Sequence, residues 1–217
     1  MLKRIFVKSI NFLTRNTIFL KFMIGYPRNL YNRMKYGKHA PKYGEKIWID
    51  PNHDDIFKGK SGPRYDYKDS AKVFNDLWFI NQDLSMSNTN MMKICQRHWI
   101  EGLSWKDSGA YDWMFRAIKV KGAIDGYSNE QGVLKRYALL DEIFNDIRIN
   151  RQFNKEFQPN IHLGPNGKLY FGHGGGKHRL CIAYILKVPF QARIGCVHVS
   201  AISRLNELRK RKINFTK

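Results

Sequence analysis

The chain has 217 residues, with 38 Lys and Arg against 18 Asp and Glu, and a formal net charge of +20. With 43% hydrophobic and 14% aromatic residues it can build a core, so wholesale disorder is excluded. Its three cysteines have no zinc-site spacing and cannot all pair with one another, so a reducing compartment is expected.

The positive charge is concentrated at the two ends of the chain. Residues 1–46 hold eleven Lys and Arg against one acid, and residues 204–217 hold six against one. Such an excess predicts an anionic partner, such as a nucleic acid, an acidic membrane surface or a phosphorylated small molecule. We therefore interpret residues 1–46 as a basic arm, residues 47–203 as the main domain and residues 204–217 as a basic tail.

The arm is also amphipathic. Apolar residues recur at helical spacing among its cations, at Leu2, Ile5, Phe6, Ile10, Leu13, Leu20 and Ile24. Its uncharged stretches are shorter than the ~20 residues of a membrane span, and no small-residue cleavage site follows, so neither a span nor a signal peptide is expected.

Two interpretations of the arm are equally supported. Residues 1–25 could lie on an anionic membrane, or a helix could pack its apolar stripe on the body of the protein. An arm that binds nucleic acid ranks third. The expected location is cytoplasmic, with peripheral attachment at the inner face of a membrane as the open alternative.

After the arm, the pattern changes from strand to loop to helix. Residues 47–49 alternate in hydropathy and stop at Asp50-Pro51, which is typical of a strand. Residues 52–70 have the composition of a loop. Residues 70–148 are predicted to be mostly helical, as one large insertion, with Val73, Leu77 and Ile80 on a common helix face.

The last third of the chain predicts a hairpin, a helix, a strand and a final basic helix. Strands are expected at residues 160–163 and 168–171, around an Asn-Gly turn. Adjacent Tyr170 and Phe171 point to opposite faces, so only one is expected in the core. A helix at 180–186 buries Cys181, a strand follows at 190–197, and Ser200 would cap the final helix. The fold class is therefore α+β: a small mixed sheet with a large helical insertion and basic terminal helices.

A glycine-rich segment lies between the hairpin and the next helix. Glycines let a backbone approach an anion closely, and a helix N-terminus offers free N–H groups and a favourable dipole. Lysine and arginine would add charge and directed hydrogen bonds, while the histidine could donate to an oxygen or brace the loop as a neutral ring. The Walker A spacing is absent. The candidate phosphate-binding residues are Gly174, Gly175, Gly176, Lys177, His178 and Arg179.

These segments resemble the ParB/sulfiredoxin-like superfamily. The resemblance rests on "DPN" after the first strand and on "NGKLYFGHGGGKHRLCIAYILKVPFQARI". It implies a small mixed sheet whose loop grips nucleotide phosphates, as in ParB proteins with CTP and sulfiredoxins with ATP. Lys177 stands where sulfiredoxins have their catalytic cysteine, which argues against sulfinic-acid repair. No helix-turn-helix is evident, which weakens the comparison with partition proteins that bind DNA.

A weaker resemblance covers more of the chain. The segments "APKYGEKIWIDP" and "EGLSWKDSGAY" are similar to uncharacterised ParB-like proteins with a basic N-terminal arm. The superfamily also includes a free-serine kinase, so the resemblance implies that phosphoryl transfer is one use of this fold.

Phosphoryl transfer needs phosphate-binding groups, usually Mg²⁺, and a base for the acceptor. The catalytic candidates are Asp50, Asp107 and His198, whose alternative roles are a turn cap, a helix cap and a structural hydrogen bond. Asp66 and Glu156 are further carboxylates. The sequence thus predicts a nucleotide-binding phosphotransferase, or a nucleotide hydrolase, that uses ATP or CTP with Mg²⁺. The alternative is a non-enzymatic protein that binds DNA or RNA.

Overall fold

The computed structural model describes residues 21–58, 69–75, 84–154, 157–171 and 176–211. Several predictions from the sequence lie outside these residues. They concern the first 20 residues of the arm, Asp66, Leu77, Ile80, Glu156, Gly174, Gly175 and residues 212–217 of the tail.

The described chain runs from one helix through three strands, three helices and a pair of strands to a final helix–strand–helix segment. The strands are β1 Lys46–Ile49, β2 Ile56–Lys58, β3 Val73–Phe74, β4 Asn160–Leu163, β5 Leu169–Phe171 and β6 Phe190–His198. The helices are α1 Tyr26–Tyr36, α2 Asn90–Trp99, α3 Ala110–Lys121, α4 Glu130–Asn150, α5 Lys177–Leu186 and α6 Ile202–Lys210. A π-helical turn, Lys21–Gly25, leads into α1.

The strands form one mixed sheet, which confirms the predicted α+β class. Its order is β1–β6–β4–β5–β2, and β3 also pairs with β6. The predicted hairpin is β4 with β5, although its turn is a 3₁₀ helix, Pro165–Gly167, instead of a two-residue turn. Tyr170 and Phe171 are both buried, so the expectation that only one lies in the core is wrong. Neighbouring strand residues point to opposite faces, and both faces of this sheet are therefore covered.

Strand β6 is hydrogen-bonded along both edges. β4 runs parallel to it on one side, while β1 and then β3 cover the other. Between those two strands, Ser70 Oγ accepts from the Gly44 N–H at 3.0 Å and donates to the Ile194 carbonyl oxygen at 2.6 Å. The predicted helix over Val73 is wrong, because Val73 lies in β3 and completes this edge.

The pairing of β4 with β6 contains one irregularity, at His162. The register shifts between Ile161 and Leu163, and there the buried His162 accepts the Cys196 N–H at its Nδ1, at 2.8 Å. A Cβ on Gly195 would lie 2.2 Å from that nitrogen. The imidazole thus replaces a backbone acceptor and requires glycine on the facing strand.

Helices α2, α3 and α4 form the described part of the helical insertion, and α2 begins at Asn90. The ends are capped as their sequence suggests: Thr89 Oγ1 accepts from the Met92 N–H, and Asn129 Oδ1 from the Gly132 N–H. Inside, the Asp141 carboxylate accepts hydrogen bonds from the indole N–H groups of Trp99 and Trp105, at 2.8 and 2.9 Å. The tryptophans therefore belong to the packed interior of the insertion.

Helix α6 is part of the domain, not a free tail. Leu205 and Leu208 are buried against the sheet. The predicted Ser200 cap is wrong: α6 begins at Ile202, and the Ser200 N–H donates to His198 Nδ1. The expected boundary at residues 203 and 204 consequently falls inside a helix.

Arginines of the C-terminal segment are paired with acids of the body. Arg209 makes two contacts to the Glu45 carboxylate, at 2.5 and 2.8 Å. Arg204 and Arg211 both contact Asp54, whose side chain is fully buried. Much of the basic character of this segment is thus neutralised within the protein. None of the described helices is both long enough and apolar enough to cross a membrane.

Replacing Asp54 with Ala should reduce the free energy of unfolding by about 3 kcal/mol, because Arg204 and Arg211 lose a buried counter-ion. Glu207→Ala is the matched control, since it removes an exposed partner of the same Arg204 and should change stability by less than about 0.5 kcal/mol. Urea denaturation of both variants measures the difference. Equal destabilisation by the two changes would contradict the assigned role of Asp54.

Candidate anion-binding site

Helix α5 begins abruptly at Gly176, in a left-handed conformation with φ of +110°. A Cβ at this position would lie 3.0 Å from the Phe157 ring, so both conformation and space require glycine. Gly176 has no side chain with which to cap the helix, and the first N–H groups of a helix have no partner within it. The start of α5 is therefore a position with free donors and a positive dipole end.

A cavity of about 590 Å³ opens beside this helix start. Gly176 to Arg179 form one side of it, α3 and α4 contribute further walls, and the turn at residues 123–127 closes another. Its cations are Lys121, Arg136, Lys177 and Arg179, and its apolar and aromatic lining comes from Met91, Trp113, Ile124, Tyr127, Leu139, Leu140 and Ile143. We call this space the α5 cavity.

Arg136 is the most deeply placed cation of the α5 cavity, with a side chain that is 13% exposed. Its Nη2 lies 2.6 Å from the Asp125 carboxylate and 3.3 Å from His178 Nδ1. Its Nε is buried and has no hydrogen-bond partner among the described residues. The Arg136 guanidinium lines the cavity, and its planar, charged group suits binding of a phosphate or carboxylate.

His178 supports this arginine as a neutral ring. Burial, and then the neighbouring charges of Arg136 and Lys177, lower the pKa of His178 to about 3. Its Nδ1 faces a guanidinium, so that nitrogen accepts and the hydrogen is on Nε2. Of the two roles expected for this residue, bracing the site as a neutral ring is the one that fits the geometry.

The cations of the site outnumber its acids. Partial burial, together with the charges of Lys58 and Lys121, lowers the pKa of the Lys177 ammonium, while Asp125 opposes that effect. Arg179 lies exposed on the other side, with its guanidinium 5.9 Å from the centre of the Phe157 ring. Mutual repulsion among cations around a cavity is relieved when an anion binds there.

Asp125 and Arg136 were missed by the sequence analysis, although each had a signal. Asp125-Gly126 forms a tight turn with both φ angles positive, closed by paired hydrogen bonds between Ile124 and Tyr127, and Asp-Gly is a strong signal for such a turn. Arg136 stands at a buried-face position of α4, between Val133 and Tyr137. A cation within an apolar helical stripe indicates a functional or ion-paired residue.

The three catalytic candidates do not line the α5 cavity. Asp50 accepts from the backbone and side chain of Asn52, as a turn cap would. Asp107 and Ser104 hydrogen-bond each other across an exposed turn. His198 is buried beside Ser200, and its Nε2 has no partner among the described residues. Of the predicted site residues that are described, the structure brings together Gly176, Lys177, His178 and Arg179 only.

A second, wider groove of about 850 Å³ lies along α4, next to Trp105 and Asp141. It contains a single cation, Lys135, and the Asp141 carboxylate, so it lacks the positive excess of the α5 cavity. In the part of the chain that the structure describes, no group of three or more His, Cys, Asp or Glu side chains is placed to hold a metal ion.

The low pKa of His178 predicts a pH-dependent loss of stability. The unfolded chain binds a proton at this histidine below about pH 6.5 and the folded chain does not until about pH 3, so stability should fall as pH is lowered through that interval. The slope contributed is at most about 1.4 kcal/mol per pH unit. Urea denaturation between pH 7.5 and about 4 should show a shallower decline for His178→Asn than for the unaltered protein, and parallel declines would argue against a neutral buried ring.

Comparisons of this chain with protein-family models, with curated proteins and with solved structures gave no match. The geometry of the α5 cavity is therefore the basis on which a function is proposed.

Proposed function

We propose that this protein binds a nucleoside triphosphate in the α5 cavity and acts as a phosphotransferase or nucleotide hydrolase. The observation that carries the proposal is the convergence of a glycine-preceded helix N-terminus with Lys121, Arg136, Lys177 and Arg179 around one cavity. The resemblance of the glycine-rich segment to ParB/sulfiredoxin-like phosphate loops supports the same ligand.

The phosphate groups would bind at the start of α5. The free N–H groups of its first turn hydrogen-bond to phosphate oxygens, and Lys177 and Arg179 supply charge at the rim. Arg136 reaches the same anion from α4, held in place by the neutral His178. These groups would also stabilise the charge that develops on a phosphoryl group during transfer.

The remaining lining suits an aromatic and partly apolar group. Trp113 and Tyr127 line the cavity together with aliphatic side chains of α4. Ligand sites typically combine an apolar wall with a few polar groups that fix orientation, and a volume of about 590 Å³ lies within their usual range. A nucleotide has this combination of anionic and aromatic parts.

Asp125 is the carboxylate best placed for chemistry. It lines the cavity and its side chain is 61% exposed, so it can turn away from Arg136 when a phosphate takes its place. Mg²⁺ would supply charge neutralisation when bound with the nucleotide, and an oxygen ligand such as Asp125 fits its preference. Alternatively, the carboxylate accepts the proton of the acceptor hydroxyl.

The location we propose is the cytoplasm, with peripheral attachment to the inner face of a membrane.

Nucleotide binding should be visible as thermal stabilisation. At about 100 times the dissociation constant, ATP or CTP with Mg²⁺ should stabilise the fold by about 2.7 kcal/mol and raise Tm by about 5–10 °C. Lys177→Ala with Arg179→Ala should weaken binding at least about tenfold, because two charged contacts are lost.

The matched control is Arg116→Ala with Lys119→Ala, which removes two exposed cations from the same region of the insertion without touching the cavity. Loss of the shift in this control would mean that general charge, not the site, binds the nucleotide. The absence of any shift with ATP, CTP, GTP or ADP, alongside salt-sensitive binding to duplex or single strands, would favour the nucleic-acid alternative.

Replacing Asp125 with Asn should have opposite effects on binding and on chemistry. Without Mg²⁺, loss of the competing negative charge should tighten nucleotide binding about fivefold. With Mg²⁺, turnover should fall at least about 100-fold if the carboxylate acts as base or metal ligand. Isothermal titration and phosphate release measure the two effects, and unchanged turnover would remove Asp125 from the catalytic role.

A further inference from the structure

Helix α1 is attached to the body of the protein by its polar side. Asn32 is buried and its amide nitrogen donates to the carbonyl oxygens of Pro41 and Ala71, each at 2.9 Å. Asn29 accepts the Tyr43 N–H at 2.7 Å, and Arg28 donates to the Ser70 carbonyl oxygen at 2.8 Å. The polar side chains of α1, which on most surface helices would face water, thus point toward the body of the protein.

The opposite side of α1 and its leading turn presents apolar side chains to the outside. Leu30 is 62% exposed and Met34 79% exposed, one helical turn apart. Tyr26 and Tyr31 flank them, and Met23 and Phe22 extend the surface at its beginning. We call these six residues the outer face of α1. A continuous exposed stripe of this kind marks an interaction surface, unlike single exposed apolar residues.

Positive charge borders this surface, and negative charge is absent from its sequence. Arg33 and Lys35 lie within the helix, Lys38 and Lys42 follow it, and the first acid after residue 1 is Glu45. Glu45 is already paired with Arg209. The arrangement of apolar centre, flanking tyrosines and surrounding cations is that of a helix lying in the interface of an anionic bilayer.

Charge indicates which kind of partner could cover the outer face of α1. A second copy of the chain would place the same cations, Arg33 and Lys35, against each other. The preceding residues 1–20 contain four Lys and Arg and no acid, so they offer no negative charge to pair with Arg33 and Lys35. An anionic lipid bilayer offers acyl chains to the apolar centre of this face and negatively charged headgroups to the cations around it.

We propose that the outer face of α1 is a lipid-binding surface, which inserts Leu30 and Met34 at the headgroup boundary of an anionic membrane while Arg33 and Lys35 contact lipid phosphates. This inference rests on the proposed peripheral location and is independent of the nucleotide site. It moves the lipid contact from residues 1–25, where the sequence suggested it, to a surface centred on residues 30–34.

The experiment compares binding of the full chain to phosphatidylcholine vesicles with and without phosphatidylserine. The unaltered protein should float with the anionic vesicles only, and less as salt is added. Leu30→Ser with Met34→Ser should reduce binding at least about tenfold, and Arg33→Gln with Lys35→Gln about tenfold. Val120→Ser with Ile149→Ser is the matched control, because those residues are 83% and 73% exposed on other helices and should not matter.

A probe reports the contact directly. The native cysteines are buried, so an environment-sensitive dye on Met34→Cys labels the outer face selectively. Its emission should shift to the blue with anionic vesicles, whereas the same dye on Val120→Cys should not respond. Melting temperatures of all variants should match the unaltered protein, since the substituted side chains are mostly exposed.

Three results would overturn the inference. If the Leu30 and Met34 variant bound vesicles as well as the unaltered protein, and deletion of residues 1–20 abolished binding, the lipid contact would lie in the first residues. The peripheral location would then still hold. A dimer in sedimentation that the same variant dissociates, without vesicle binding, would assign the face to a second copy. No vesicle binding by any form would reject both this surface and the peripheral location, whatever the nucleotide result.

Discussion

The buried strand β6 imposes the constraint on which the rest of the fold depends. Each of its backbone groups needs a hydrogen-bond partner, because an unsatisfied polar group in the core is costly. On one edge β4 supplies partners, with His162 standing in at the irregular position. On the other edge β1 ends too soon, and Ser70, Lys72 and β3 complete the pairing. Residues 70–74, which are distant from β6 in sequence, must therefore pair with it. The same segment supports α1, which hydrogen-bonds to the carbonyl oxygens of Ser70 and Ala71.

The same fold divides the positive charge into three environments. At the C-terminal end, arginines of and just after α6 are neutralised by Glu45 and Asp54. At the α5 cavity, cations outnumber the one lining carboxylate, Asp125, and perturb one another. Around α1, cations border an apolar surface. The net charge of +20 is thus divided among cations that are paired within the protein, cations around the α5 cavity and cations beside an exposed apolar surface.

The elements that the sequence predicted well are those with short-range patterns. The hairpin strands, the helix after the glycines and the long final strand carry their own turn and periodicity signals, as does α4. Val73 was misassigned because a two-residue strand has no periodicity, and its pairing with Val197 depends on a partner more than 120 residues away. For the site, the residues at the start of α5, Gly176 to Arg179, could be recognised within one segment, but Arg136 and Asp125 come from a distant helix and turn. Only tertiary packing brings those two residues to the start of α5, so local patterns could not place them.

The attachment of α1 to the body is asymmetric. Arg28 and Asn32 hydrogen-bond to backbone carbonyl oxygens, and Asn29 to a backbone N–H. The body contributes these atoms regardless of which side chains stand at Pro41 or Ala71. The side chains of Pro41 and Ala71 therefore take no part in these hydrogen bonds, while the three helix residues each contribute their own side chain. The specificity of docking therefore lies in the polar side chains of α1, and substitutions on its exposed outer face leave those hydrogen bonds intact.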